Sequence, residues 1–379
     1  MQTLNVQNDE CVTRPTHKRM NLLFILLITI TIAYIDRVNI TVLMADATFM
    51  ADMGILNNPA KAGLLMTFFL IAYGIGNIFL SGLGDYYGPR KAMTVAIGSW
   101  FIAMMIGGFA PALVVMLIAR FLLGLGEGLH FPMMNAFCRP WFPKKEKGTA
   151  SAVWFMGTSV APAIGMPVFA WIVSHYSWHY TFYTCAIVGV IPAFLVWFYT
   201  TDTPRQHKTI NQAEIDYIEA GQDLGGEPDH KESMREMLAN NFHLIASVKA
   251  FWVMVVYYCV HNMVYWGLLT WLPSYLKNER GFSWSEMGFL ASMPFILAIV
   301  CKLVAGWASD KVGRRAPFCI LAMGGTAICL YMSTSVANNY ASAIFICLGM
   351  AVLTPGAPLS MTMLQEMLPK RTIGLGTGS

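Results

Sequence analysis

Asp36 and Arg37 stand side by side in Tyr34-Ile-Asp36-Arg37-Val-Asn39, far from either end of a hydrophobic run that reaches from Met20 to about Met44. A second run, roughly Ala112 to Pro132, carries Arg120 and Glu127, and His130 follows Glu127 at i+3. Each ion at mid-membrane costs about 2.5–3.5 kcal/mol on insertion scales, so four of them imply a penalty of order 10 kcal/mol. A fold tolerates that only by pairing the charges or by using them. The types present suggest the use: a planar guanidinium binds a carboxylate bidentately, and carboxylates near one cation can exchange protons as it moves. The plainer reading is a structural salt bridge, but buried ion pairs are poor stabilisers, and intramembrane ions mark solute routes.

A rise of about 1.5 Å per residue puts Asp36 about 24 Å along its span and Arg120 about 20 Å from the same membrane face. An Asp36–Arg120 ion pair is therefore expected. Glu127 lies two turns further on the same helix face, about 10 Å nearer the cytoplasm, where His130 is placed to share its proton. Lys302 is expected to snorkel toward the cytoplasmic surface.

These residues need membrane helices to hold them. The chain is 56% hydrophobic and 12% charged, with mean hydropathy +0.52, where soluble domains average about 25% charged residues. Ten continuous runs, each near the 17–25 residues a spanning helix requires, fall at 20–44, 61–83, 92–109, 112–133, 149–173, 180–200, 248–271, 285–307, 317–335 and 340–363. Because the runs do not alternate, they are read as helices. Of the 25 Lys and Arg, 19 fall in the N-terminal tail and alternate loops, three on the opposite side and three within spans. The positive-inside rule then places the N-terminus in the cytoplasm of a cell inner membrane. The net charge of +4 is this asymmetry, and no basic stripe suggests nucleic acid. The first run lacks a signal-peptide cleavage pattern. The eight cysteines show no metal or redox spacing and read as packing residues; no cofactor or metal is expected.

A repeat organises the spans. Gly84-Asp85-Tyr-Tyr-Gly88-Pro-Arg90 returns as Ser309-Asp310-Lys-Val-Gly313-Arg-Arg315, an offset of 225 at Asp, Gly and Arg alike. Pro143 to Gly148 returns as Pro369 to Gly374 at an offset of 226. The chain therefore reads as a tail (1–19), a six-helix bundle (20–200), a cytoplasmic linker (201–247) with nine acidic residues, and a second bundle (248–379) in which Gly374–Ser379 aligns with the start of span five. Spans eleven and twelve are thus expected to be missing from a pseudo-symmetric pair of six-helix halves, an architecture of secondary transporters. In the repeated loop Asp85 is expected to accept from Arg90 and to face a helix N-terminus, that of span eleven, one of the two expected to be missing. Asp310 would face the start of span five near Thr149. With Gly88, Gly313 and Arg315 these residues form a latch that closes the cytoplasmic side.

The loop after span two resembles the signature loop of the major facilitator superfamily. Tyr34-x-Asp36-Arg37-x-Asn39, Ala72-Tyr73, Arg120-x-x-x-Gly124-x-Gly126-Glu127, Trp141-Phe142-Pro143-x-x-Glu146, Asp202-Thr-Pro204 through Tyr217-Ile218 and Trp271-Leu-Pro273-x-Tyr275-Leu276 resemble its anion:cation symporter family over nearly the whole chain. That family includes bacterial D-galactonate, glucarate and hexuronate carriers and vertebrate sialin and vesicular glutamate transporters. The resemblance implies that Arg37 binds a substrate carboxylate with hydroxyls from Tyr34 and Tyr73. It implies that Asp36 and Glu127 carry protons, and that Arg120 releases Asp36 when it protonates. The chain departs from the family at Asn77, where Gln is frequent, at His130, and at Thr158 and Ser159, where sugar-acid carriers have a larger amide. Asn262, Tyr265 and Trp266 are candidates from the second half. The expectation is a monomeric symporter that couples proton entry to uptake of a small organic anion, a sugar acid or an aromatic acid. Export of an amphipathic anion, or ligand sensing without transport, are the alternatives. An enzyme is disfavoured, since no Gly-x-Ser-x-Gly, His-Glu-x-x-His or phosphate loop occurs.

Overall fold

The computed structural model describes residues 15–222 and 249–367. Every regular element among them is helical, and ten helical stretches are long and apolar enough to cross a membrane: Lys18–Leu43, Pro59–Leu80, Pro89–Gly108, Leu113–Trp141, Lys144–His175, His179–Tyr199, Phe251–Glu279, Trp284–Val312, Ala316–Ser335 and Asn339–Met363. They are spans one to ten. Spans four, five, seven and eight run further than the hydrophobic runs predict. Hydropathy records how much of a helix lipid covers, and these helices continue into polar surroundings at their ends. The repeat of Pro369–Gly374 and the later part of the linker lie outside the described residues, as does the Asp85 side chain.

Several spans are broken near mid-membrane. Span four divides at Leu129 into Leu113–Gly128 and His130–Trp141. Span five divides at Met156, and span ten pauses at Thr354-Pro355. Spans two and four meet backbone to backbone: a Cβ on Gly124 would lie 2.3 Å from the Phe69 carbonyl, and one on Gly128 would lie 2.5 Å from that of Tyr73. Small residues permit this approach in membranes. Here it carries Arg120 and Glu127 toward span one.

The two halves join chiefly along spans five and eight, with spans one and seven beside them. At the ends away from most Lys and Arg, Ser274 Oγ donates to the Met44 carbonyl at 2.8 Å, and Gly288 packs on Met166, Pro167 and Ala170. The inner half of span five, on the basic face, instead packs on spans one and four. The expected closure there is not made: Asp310 is exposed and pairs within its own loop with Arg315 at 3.3 Å. Gly313, at φ +68°, ends span eight in the left-handed conformation.

In the first-half loop the expected Asp85–Arg90 contact lies outside the described residues. Arg90 sends its guanidinium to the Trp197 carbonyl and lies 4.9 Å from that ring, while its backbone N–H donates to Asp202 at 2.8 Å. The carboxylate at this helix start therefore comes from the linker. Gly88 makes room for it: its φ is +85°, and a Cβ would lie 2.6 Å from Asp202 Oδ2. A second linker carboxylate does the same for span one. Glu214, on the helix Gln212–Ala220, accepts from the Lys18 and Arg19 backbone N–H groups at 2.8 and 3.1 Å, from Thr16 at 2.6 Å and from Arg19 Nη1 at 3.1 Å. Arg19 also reaches Glu146 at 3.0 Å, which accepts from Tyr217 at 2.5 Å. The linker thus caps spans one and three and ties both to span five.

Burial raises the Glu214 pKa, but the hydrogen bonds from Thr16, Lys18 and Arg19 outweigh it and hold the carboxyl below its usual range. A depressed carboxylate contributes stability above the unfolded value near 4.3 and loses it as pH falls through the native one. Protection of 204–222 in hydrogen exchange should therefore persist at pH 7 and weaken only in acid below that value. Glu214→Ala should lower stability in detergent by about 1–3 kcal/mol, because the Lys18 and Arg19 backbone N–H groups lose their acceptor while Arg19 keeps Glu146. An unchanged melting temperature would contradict this cap.

Candidate functional site

Arg37 and Glu127 are the centre of the site. Arg37 Nε donates to Glu127 Oε2, and the two residues are 1% and 0% exposed. Four rings surround the guanidinium: Tyr34 at 4.2 Å, Tyr73 at 4.7 Å, Phe69 at 5.2 Å and Trp266 at 5.8 Å from its carbon. Tyr34 and Tyr73 thus offer ring faces to the cation, where hydroxyl contacts to a ligand were the expectation. Trp266 comes from span seven, so the second half helps cover a cation supplied by the first. Each such contact is worth about 0.5–2 kcal/mol, the upper end when desolvated.

The pairing differs from that expected of Asp36. Arg120 is fully buried and lies 5.0 Å from the Phe69 ring. It donates to the backbone carbonyls of Leu65, at 3.4 Å, and of Asp36, at 3.5 Å, rather than to the Asp36 carboxylate. The Asp36 carboxyl faces the Cys185 thiol of span six, which leaves Oδ1 without a partner. Arg37 Nη2, Arg120 Nη2 and Glu127 Oε1 are also buried without a hydrogen-bond partner. Each such group costs about 1–3 kcal/mol. The four ions therefore retain bonding capacity that the protein does not satisfy.

His130 does not join Glu127. The break at Leu129 turns it away, and its ring packs edge-on against Trp100 at 5.2 Å and Phe131 at 6.3 Å with neither nitrogen hydrogen-bonded. Thr158 and Ser159 follow the break in span five. Thr158 donates to the Phe155 carbonyl at 2.9 Å, whereas Ser159 accepts from Lys302 Nζ at 3.0 Å. Asn262 is turned back to the Tyr258 carbonyl at 2.8 Å, and Tyr265 packs on Trp266 at 5.7 Å. Asn262, Tyr265, Trp266 and Tyr73 are half-buried, so the accessible space begins at this aromatic layer with Arg37 behind it. The ions are enclosed by protein on every side in this conformation.

Lys302 corrects the snorkelling expectation. It continues the inward stripe Ala291, Phe295 and Ala298, while Val300, Leu303, Val304 and Trp307 form the exposed one. The i, i+4, i+7, i+11 spacing was visible in the sequence, but both stripes are apolar and hydropathy alone does not rank them.

Comparison with known proteins agrees with this architecture. The sequence profile described as Major Facilitator Superfamily matches residues 26–379. A D-galactonate transporter of Escherichia coli is 31% identical across 96% of this chain and 85% of its own length. A probable galactarate/D-glucarate transporter of Bacillus subtilis is 29% identical across 96% and 82%. Among solved structures, a bacterial homolog of the human lysosomal transporter Spinster, inward-facing and unoccupied, superposes with a TM-score of 0.73 at 16% identity over 96% of this chain and 78% of its own. That likeness concerns fold alone. These relatives are transporters rather than enzymes, and this multi-pass chain, with ten candidate spans among its described residues, belongs to the Major Facilitator Superfamily.

Proposed function

We propose that the protein is a proton-coupled symporter that takes up a small organic anion, a sugar acid or an aromatic carboxylate, across a cell inner membrane. It works as a monomer by alternating access, with its N-terminus in the cytoplasm and the proton gradient as its only coupling agent. One observation carries the reading: a buried guanidinium, already bound by a carboxylate on Nε, keeps Nη2 unpartnered behind an aromatic layer at the seam between the halves.

An incoming carboxylate at Nη2 competes with Glu127 for one cation. Two carboxylates about 4 Å apart repel by about 4 kcal/mol at an effective dielectric constant of 20, the equivalent of about three pKa units. Substrate binding therefore favours a proton on Glu127, and a protonated Glu127 frees Arg37 for substrate. This reciprocity couples the two gradients without any further device. Asp36, whose Oδ1 lacks a partner beside Arg120, is the second proton carrier. If two protons accompany a monoanion, one net charge enters per cycle and gains about 2.3 kcal/mol per 100 mV, or about 50-fold accumulation; with a dianion the same two protons make the cycle electroneutral. The names of the relatives, carriers of D-galactonate and galactarate/glucarate, support a sugar acid as the first compound to test.

Uptake into proteoliposomes under an imposed pH gradient tests these roles. Arg37→Ala should weaken binding of the carboxylate by about 10- to 100-fold, the range set by a hydrogen bond to a charged group. Full transport by that variant excludes the anchoring role. Glu127→Gln and Asp36→Asn should each preserve counterflow exchange while abolishing pH-driven accumulation. Accumulation equal to that of the unaltered protein would remove the residue concerned from the proton path.

A further inference from the structure

We infer that Lys302 is a second anion anchor, contributed by the second half, and that the transported species is a dianion whose two charged ends are held by Arg37 and Lys302. The inference rests on the uptake reading above and narrows its substrate class. Lys302 lies ten residues from the inner end of span eight, Val312, about 15 Å into the membrane at a helical rise. Its ammonium group faces the other half: Nζ donates to Ser159 of span five at 3.0 Å and lies 5.8 Å from the Phe155 ring. Among the described residues no carboxylate lies within ion-pair distance of it.

Charge balance gives this position its meaning. Among the described residues, the interior of the spans holds three cations, Arg37, Arg120 and Lys302, against two carboxylates, Asp36 and Glu127. A charge left uncompensated in a membrane is costly and marks a substrate or ion route. A neutral hydroxyl and a ring face satisfy a Lys ammonium only in part, since it carries three donors. The described residues offer no anion to this ammonium group, a position that suits an anion brought in from outside.

Lys302 and Arg37 also border one interface. Tyr34, which lies against Arg37, meets Phe131 at 6.4 Å; Phe131 meets Phe155 at 6.1 Å; and Phe155 lies beneath Lys302. A chain of ring contacts thus runs from one cation to the other, one from each half. A ligand with an anionic group at each end bridges the halves through both. A monoanion engages only one of them. Ser159, which holds Lys302 in this structure, is the hydroxyl such a ligand displaces.

The test is direct binding to the purified full chain in detergent, followed by calorimetry, with a six-carbon aldarate (a carboxylate at both ends) against the matching aldonate (a carboxylate at one end). The unaltered protein should prefer the aldarate by about 10- to 100-fold, the contribution of one hydrogen bond to a charged group. Lys302→Met should bring aldarate affinity down to that of the aldonate, and Lys302→Arg should restore the preference, which a merely structural role of the side chain does not foresee. Preference for the aldarate that survives Lys302→Met, or an equal loss of both ligands that Lys302→Arg does not restore, overturns the inference. So does an unaltered protein that binds the aldonate as well as or better than the aldarate, which leaves the uptake reading standing. Binding of neither compound or of any other carboxylate counts against both.

Discussion

A guanidinium buried in a membrane protein needs a carboxylate, and the Arg37–Glu127 pair is the constraint around which this molecule is arranged. Either ion alone in the interior costs several kcal/mol. The pair joins span one to span four, so the two helices are held in register by charge as well as by packing. The glycine-lined contact between spans two and four brings Glu127 close enough, and the break at Leu129 directs the next residues elsewhere. The aromatic rings around Arg37 then exclude water while remaining attractive to the cation. An interaction of this kind has two satisfactory arrangements, one with Glu127 and one with a foreign carboxylate, which suits it to a protein that must change shape.

The seam between halves has a complementary character. Away from the basic face it is closed by close apolar packing and by Ser274 on Met44. Deeper in, it contains Lys302 on Ser159. On the basic face the repeated loops hold the bundle halves individually: Arg90 to Trp197 and Asp202 in the first, Asp310 to Arg315 in the second. Across the seam, spans five and eight pack as closely as neighbouring spans within either half, and Lys302 on Ser159 is a polar contact within it. Rocking of one half against the other therefore has to re-form this contact while each half keeps its own packing.

The linker is more than a tether. Its carboxylates Asp202 and Glu214 occupy the starts of spans three and one, where unsatisfied N–H groups collect partial positive charge. Asp202 reaches the start of span three from only three residues beyond span six, a role that the sequence reading did not assign to it.

The sequence by itself determined the ten crossings, the twofold organisation and the identity of four interior ions. Each rests on a property that is local along the chain: lipid demands a fixed length of apolar helix, and any charge within one is conspicuous. Tertiary structure alone decided which ion meets which. Arg37 rather than Arg120 holds Glu127, Arg120 turns to backbone carbonyls, and Lys302 faces the seam instead of the surface. Axial depth follows from residue count, but partner choice depends on the rotation of each helix and on breaks such as Leu129. Those are set by glycine contacts between spans far apart in sequence, which no single segment encodes.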